Sequence, residues 1–270
     1  MERLEAALEK ARSDRSGAKA AVTLTTEAVK AVAPEKNIWE MVKEVKIWPR
    51  YARKNRITAL IQGKQSGPYD LLRTRTLRQM KENGWSSLAI TSPNKSCGKS
   101  TVAANLALSL SRQVDLKILV LDFDFRRPAL HKILGHRPKT SLHEILAGEQ
   151  PIETAFLRTG PNLAFALNSS AAANPSELIQ SNHAQNRLAE IKNAFQPDVM
   201  IFDMPPMLAS DENVGFLPSV DCGILIGAAK STTISQLDIC EKELSQLTNV
   251  LGVVLNKCKF SENDTDYDYY

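Results

Sequence analysis

The sequence contains few cysteines and no long apolar run. Its 270 residues include 4 cysteines, which lie far apart and form no Cys-x-x-Cys pair, so neither a disulfide framework nor a zinc site is predicted. The 4 histidines show no metal-ligand spacing either. Apolar runs are only as long as strands, well short of the roughly 20 residues of a membrane-spanning helix, and the charged N-terminus lacks the apolar segment of a secretory signal. We therefore expect a protein that is cytoplasmic or peripheral at the inner face of the cell membrane.

Charge is unevenly distributed, although the net charge is only +4. Residues 1–66 carry 14 Lys and Arg against 8 Asp and Glu, whereas the last ten residues carry four acids and no base. A basic segment can bind nucleic acid or anionic lipid, but a solvated charged surface explains the same composition. We predict that residues 1–66 form a basic, helical and partly disordered extension, and that residues 259–270 form an acidic tail that carries tyrosines.

Between these two ends, short apolar runs alternate with helical stretches. Strands that are apolar almost throughout indicate a parallel sheet with helices on both faces. We therefore predict a doubly wound, mainly parallel α/β domain over residues 67–258, with its site at the carboxyl ends of the strands. The predicted strands are 87–91, 117–123, 163–167, 198–204, 222–228 and 250–256, and the predicted helices are 99–113, 176–195 and 233–247.

The segment SPNKSCGKST, residues 92–101, lies between the first of these strands and a helix. Strand, tight loop and helix N-terminus together are the setting of a phosphate-binding loop. Pro93 stands where the first glycine is usual, and Ser96 stands where a second is common. Asn94, and less readily Ser96, tolerate the positive φ angles that glycine would supply. The predicted nucleotide-binding residues of this loop are Asn94, Lys95, Ser96, Cys97, Gly98, Lys99, Ser100 and Thr101.

Three aspartates follow two further predicted strands. Asp122 and Asp124 lie two residues apart in LVLDFDFRRP (119–128) and therefore face the same way. Asp203 ends the apolar run of VMIFDMPP (199–206). Since buried acids are costly without a compensating cation, we predict that all three belong to one metal and phosphate site. Asn256, after the last predicted strand, is suited to contact a purine edge, although a simple turn residue is the alternative.

These segments together resemble the bacterial tyrosine kinases of exopolysaccharide and capsule synthesis. These are P-loop proteins related to the septum-site ATPase MinD and the chromosome-partitioning ATPase ParA. The resemblance extends from about Gly67 to Lys257 and includes GPYDLLRTR (67–75), SLHEILAGE (141–149) and NPSELI (174–179). It implies ATP and Mg²⁺ as cofactors, with Asp122 near the acceptor hydroxyl. The implied catalytic residues are Lys99, Asp122, Asp124 and Asp203, and the implied metal ligands are Ser100, Asp124 and Asp203.

Three of the five tyrosines lie within the last four residues. A flexible tether raises the effective concentration of their hydroxyls at a neighbouring site, and the resemblance implies that a neighbouring copy phosphorylates them. The acids beside them would let the basic pair Arg126 and Arg127 recognise the tail, whereas a merely solubilising acidic tail is the alternative. The predicted acceptors are Tyr267, Tyr269 and Tyr270.

The sequence thus predicts an ATP- and Mg²⁺-dependent protein-tyrosine autokinase that regulates exopolysaccharide or capsule polymerisation and export. The resemblance implies self-association and, as a partner on a separate chain, the cytoplasmic tail of a membrane chain-length regulator; no nucleic acid is expected. One alternative is a catalytically weak ATP-binding scaffold that regulates this membrane partner without phosphorylating protein. Another is a partitioning-type ATPase that binds DNA or membrane through residues 43–64, but that relationship does not predict a tyrosine tail.

Overall fold

A mostly parallel sheet runs through the computed structural model, which describes residues 37–61, 65–148 and 150–258. Its strands are β1 (Lys43–Glu44), β2 (Ser87–Thr91), β3 (Ile118–Asp122), β4 (Phe156–Thr159), β5 (Leu163–Ala166), β6 (Val199–Asp203), β7 (Cys222–Ala228) and β8 (Asn249–Asn256). Their order across the sheet is β1-β4-β5-β3-β6-β2-β7-β8, and every pairing is parallel except that of β4 with β5. The predicted doubly wound α/β fold is confirmed.

Helices flank the sheet. Those described are α1 (Ile38–Met41), α2 (Pro49–Lys54), α3 (Gly67–Asn83), α4 (Lys99–Leu110), α5 (Leu130–Leu134), α6 (Leu142–Leu146), α7 (Pro175–Gln180), α8 (Asn182–Phe195), α9 (Glu212–Phe216) and α10 (Ile234–Leu247). Strands β1 and β4 and helices α3, α5, α6 and α9 go beyond the predicted elements. The single helix predicted over 176–195 is two, because Ser181 ends α7 and its hydroxyl caps α8 at the amide of Ala184, 3.1 Å away. No helix in the described ranges is both long and apolar enough to cross a bilayer.

Both faces of the central sheet are buried. Every residue of β2, β3, β5, β6 and β7 is buried. Along β3, Ile118 and Val120 join the same apolar cluster as α4, whereas Leu119 and Leu121 join the cluster that contains the end of α8. Burial on both faces explains why these strands are apolar almost throughout. The edge strand β8 is partly exposed along its length.

Residues 37–61 pack onto this domain, which corrects the prediction that they lie in an extension outside the core. Strand β1 pairs with β4, and the indole Nε1 of the buried Trp39 donates a hydrogen bond to the carbonyl of Phe195 (3.0 Å). The fully buried Asn105 of α4 accepts a hydrogen bond from the amide of Ala59 (2.9 Å). Periodicity does not reveal this packing, because several very short elements succeed one another here. Residues 1–36 of the predicted extension and the predicted tail, 259–270, lie outside the described residues.

Replacing Trp39 by alanine is expected to lower the free energy of unfolding by roughly 3–5 kcal/mol, because it leaves a cavity against α8 and removes a buried hydrogen bond. Trp48 is the matched control: it lies in the same segment but is 52% exposed, against 5% for Trp39. Trp48→Ala should change stability by less than about 1 kcal/mol. Denaturant unfolding of both variants measures the difference. Equal effects would contradict the packing of residues 37–61 on the domain.

Candidate nucleotide-binding site

The loop between β2 and α4 has the backbone of a phosphate-binding loop. Ser96 and Gly98 have φ angles of 64° and 95°, and these are the positive φ values in residues 92–98. Of the two residues expected to replace glycine, it is therefore Ser96, and not Asn94, that adopts the left-handed region. Helix α4 begins directly after Gly98, so the free amides of its first turn and its dipole are available to an anion.

The three aspartates meet beside this loop because their strands are neighbours. Asp122 and Asp203 end β3 and β6, which pair in register so that these two residues lie opposite each other. Asp124 follows two residues after Asp122, and its Oδ2 accepts a hydrogen bond from the Nζ of Lys99 at 2.7 Å. The structure thus brings together the four residues that the sequence analysis predicts to be catalytic.

The buried carboxylates of Asp122 and Asp203 accept no well-formed hydrogen bond. Neither residue has any exposed surface, and none of their four oxygens has a partner within normal hydrogen-bond geometry. The Ser100 hydroxyl and the amide of Leu130 are the nearby donors, and they act to lower the pKa of Asp203 and of Asp122 respectively. Burial, reinforced by the charge of Asp203, raises the pKa of Asp122 well above its usual range. Burial also raises the pKa of Asp203 to about 6, although the Lys99 charge opposes the rise. Buried oxygens without a well-formed hydrogen bond are rare in folded proteins and indicate an incoming group, such as a metal ion or a hydroxyl.

Lys99 remains a cation in this environment. Burial alone lowers its pKa, but the negative charges of Asp203 and Asp124 outweigh burial, and the net effect is a raised pKa. An ammonium that stands among three acids at a loop of free amides can bind the phosphates of a nucleotide. The ion pair with Asp124 therefore holds the Lys99 ammonium beside the N-terminus of α4.

The residues present fit Mg²⁺ with a bound nucleotide. The hydroxyl of Ser100, at the first turn of α4, and the carboxylates of Asp124 and Asp203 are hard oxygen donors of the kind that this ion prefers. Within the described part of the chain, no group of three or more His, Cys, Asp or Glu side chains is arranged to hold a metal by itself. Phosphate oxygens would have to complete the coordination, as is usual for this ion.

A cavity of about 470 Å³ lies over the loop. This volume is within the range of small-molecule sites. It is lined by eight of the predicted residues, namely Lys95, Ser96, Gly98, Lys99, Ser100, Thr101, Asp124 and Arg127. Four further lining residues are not among the predicted ones: Ala129, Ile133, Pro206 and Lys257. Pro206 lies two residues after the predicted strand 198–204, and Lys257 directly follows the predicted strand 250–256, so the sequence carried a signal for both. Ala129 and Ile133 reach the cavity only through the packing of α5.

The two arginines after Asp124, Arg126 and Arg127, have different surroundings. The Nε of Arg126 donates to Oε1 of the buried Glu212 (2.7 Å), and its Nη2 donates to Asp211 (3.1 Å). Arg126 therefore anchors α9, whereas Arg127 lines the cavity. The acceptors predicted for this pair, Tyr267, Tyr269 and Tyr270, lie outside the described residues, so recognition of the tail stays a prediction.

Two segments that carry the family resemblance form hydrogen bonds that support the site residues. In NPSELI, the hydroxyl of Ser176 donates to Asp211 (2.9 Å) and accepts from Arg126 (3.3 Å). In SLHEILAGE, the amide of His143 donates to Asn168, whose own Nδ2 donates to the carbonyl of Asp122 (2.6 Å). The hydrogen bond from Asn168, which follows β5, to Asp122 joins the carboxyl ends of β3 and β5. Asn168 is a site-supporting residue that lies outside the predicted set.

The side chain of Asn256 is engaged with the loop. Its Nδ2 donates to the carbonyl of Cys97 (2.9 Å), and its Oδ1 accepts from the amide of Lys257 (2.8 Å). Both ends of the Asn256 side-chain amide thus have protein partners. Contact of Asn256 with a purine edge stays a prediction. Cys97 is buried, with its Sγ 3.6 Å from the hydroxyl oxygen of Thr232.

The comparison with known proteins agrees with this geometry. Residues 88–268 match the family model of the CobQ/CobB/MinD/ParA nucleotide binding domain. Tyrosine-protein kinase YwqD of Bacillus subtilis is 30% identical over 195 residues, which are 72% of this chain and 78% of that relative. The chain belongs to the bacterial tyrosine-kinase family of these nucleotide-binding proteins. The family resemblance predicted from the sequence is thereby confirmed.

Other members of the family differ in length. Tyrosine-protein kinase ptk of Acinetobacter johnsonii is 32% identical over 171 residues, which are 63% of this chain but 23% of that protein. The chain thus spans about a quarter of the length of the first curated relatives that it matches. The kinase domain of the Escherichia coli tyrosine kinase ETK superposes with a TM-score of 0.67 at 22% identity, covering 85% of this chain and 97% of that domain. This likeness supports the fold.

Proposed function

We propose that this chain is an ATP- and Mg²⁺-dependent protein-tyrosine kinase that acts in exopolysaccharide or capsule export. It transfers the γ-phosphate of ATP to the C-terminal tyrosines of a neighbouring copy. The observation that carries the proposal is the group formed by Lys99 and the fully buried carboxylates of Asp122 and Asp203 beside a phosphate-binding loop. A purely structural role does not account for two fully buried carboxylates, side by side, that accept no well-formed hydrogen bond.

Catalysis in such a site consists mainly of positioning and charge neutralisation around the transferred phosphoryl group. When ATP binds, the Nζ of Lys99 would leave Asp124 and contact the oxygens of the β- and γ-phosphates. The loop amides would donate hydrogen bonds to oxygens of the same two phosphates. Ser100, Asp124 and Asp203 would hold Mg²⁺, which when bound neutralises charge that develops on the phosphates. Asp122, which lies opposite Asp203 at the end of β3, would accept the proton of the tyrosine hydroxyl.

The partners proposed for this kinase follow from its family. A second copy would supply the acceptor tail, so self-association is part of the mechanism. The cytoplasmic tail of a membrane chain-length regulator would bind the chain and bring it to the inner face of the membrane. The activity is supported by its relatives in Acinetobacter johnsonii and Bacillus subtilis, which are tyrosine-protein kinases.

The intact mass of the full chain tests the proposal. After dephosphorylation and incubation with Mg-ATP, we expect mass steps of one phosphate each, which alkaline phosphatase removes and which map to Tyr267, Tyr269 and Tyr270. A variant with all three tyrosines replaced by phenylalanine should show none of these steps, whereas Tyr51→Phe, outside the tail, should behave as wild type. Bound ATP without any phosphate transfer, also in the presence of the membrane partner's tail, would overturn the kinase and favour the ATP-binding scaffold.

A further inference from the structure

We propose that Lys257 is a positioning residue of the nucleotide-binding loop and that, together with Asn256, it substitutes for the glycines that the loop lacks. Asn256 is the last residue of strand β8 and Lys257 directly follows it. The two residues are called here the β8 clamp. The inference rests on the proposed nucleotide site, because it concerns how that site presents its backbone amides. It assigns to Lys257 a role in binding phosphate through the loop.

The β8 clamp binds two consecutive carbonyl groups of the loop. The Nζ of Lys257 donates to the carbonyl of Ser96 at 2.6 Å, and the Nδ2 of Asn256 donates to the carbonyl of Cys97 at 2.9 Å. In a trans peptide the N–H and C=O groups point in opposite directions, and the described residues contain no cis peptide bond. Fixing these two carbonyls therefore also fixes the amides of Cys97 and Gly98, directed away from the clamp.

The clamp compensates for an unfavourable backbone conformation. Ser96 has a φ of 64°, a region that is unfavourable for a residue with a side chain and that glycine adopts freely. A charge-assisted hydrogen bond from Lys257 to the carbonyl of the same residue can offset that cost. Without it, the loop would populate conformations in which the two amides no longer converge on an anion.

The remaining glycine of the loop makes room for this contact. A Cβ added at Gly98 would lie 2.2 Å from the Nδ2 of Asn256, so a side chain at this position would displace the clamp. Lys257 itself has a φ of 61°, and its amide is held by the Oδ1 of Asn256. The end of β8 is thus shaped to reach the loop at two points.

Affinity for Mg-ADP tests the β8 clamp in the full chain. Lys257→Met should raise the Kd about tenfold, Lys257→Arg should retain most of the affinity, and Ser96→Gly introduced into Lys257→Met should restore the Kd to within about twofold of wild type. Lys230→Met is the matched control, because Lys230 is also exposed and left-handed (φ 69°) and follows the neighbouring strand β7. Its Kd should not change.

Amide hydrogen exchange of the nucleotide-free protein separates the clamp from the proposed function. Lys257→Met should accelerate exchange in residues 92–98, and Lys230→Met should not, whether or not any nucleotide binds. Unchanged exchange and unchanged Kd in Lys257→Met would overturn the clamp. A weakened Kd that Ser96→Gly fails to restore would also overturn it, since Lys257 would then act on the phosphates directly. A wild-type chain that binds no nucleotide would instead refute the proposed function.

Discussion

Lys99→Met should lower the rate of tyrosine phosphorylation by at least about 100- to 1,000-fold. Among the described residues, Lys99 is the cation that forms an ion pair with Asp124. Methionine fills a similar volume, so the substitution removes the charge without a packing conflict. Without the ammonium, the negative charges of ATP and of the aspartates would meet with less compensation at the end of the loop. The rate of phosphotyrosine formation and the Kd for Mg-ATP measure the loss.

The control for this prediction is Lys81→Met, which removes a lysine near the end of α3, outside the site. It should leave the rate and the Kd unchanged. Lys99→Arg is not a conservative change either, because the planar, larger guanidinium cannot reproduce the point contact that the buried ammonium makes with Asp124. Unchanged phosphorylation in Lys99→Met, with the secondary structure intact, would refute the assignment of this loop as the catalytic nucleotide site.

Asp203→Asn should have effects of opposite sign on activity and on stability. We expect phosphoryl transfer to fall by at least about 100-fold, because a carboxylate proposed to hold Mg²⁺ becomes a neutral amide. In the metal-free protein at pH 7, the same change should raise the free energy of unfolding by roughly 2–3 kcal/mol, or roughly 4–12 °C in Tm. The reason is that the ionised Asp203 is fully buried, and the Lys99 charge and the Ser100 hydroxyl offset only part of the cost of burial.

The gain in stability should depend on pH in a defined way. Burial raises the pKa of Asp203 from the ordinary 3.8 to about 6 in the folded chain, so the folded state binds the proton more tightly than the unfolded state. Wild type therefore loses stability as the pH rises from about 4 to about 6. Asparagine does not titrate, so the difference in Tm should be small near pH 4 and full above pH 6.

The exposed Asp115, in the turn before β3, provides the control for this series. Asp115→Asn should shift neither the Tm nor the rate beyond a small surface effect. Thermal unfolding of the three proteins in a chelating buffer at several pH values measures the prediction. A Tm for Asp203→Asn that falls below wild type at pH 7 would show that this carboxylate stabilises the free protein.

The sequence alone was sufficient to predict the central parallel strands and the group of charged side chains that meets at their carboxyl ends. Strands buried on both faces are apolar along their whole length, which marks β2, β3, β6 and β7 without any structure. The right-handed crossovers of a parallel sheet then bring the strand ends together. For that reason two sets of residues could be assigned to one site from their positions in the chain: Asp122, Asp124 and Asp203, at or just after such ends, and Lys99, after the loop that follows β2.

Only the tertiary structure decided how the remaining residues are used. Arg126 and Arg127 are adjacent and chemically alike, yet one pairs with Glu212 and the other lines the cavity. Lys257 and the loop carbonyl that it binds are separated by 161 residues. Likewise, Trp39 joins the core through the distant Phe195. Composition, period and spacing record local geometry, whereas these contacts depend on which distant surfaces the folded chain brings together.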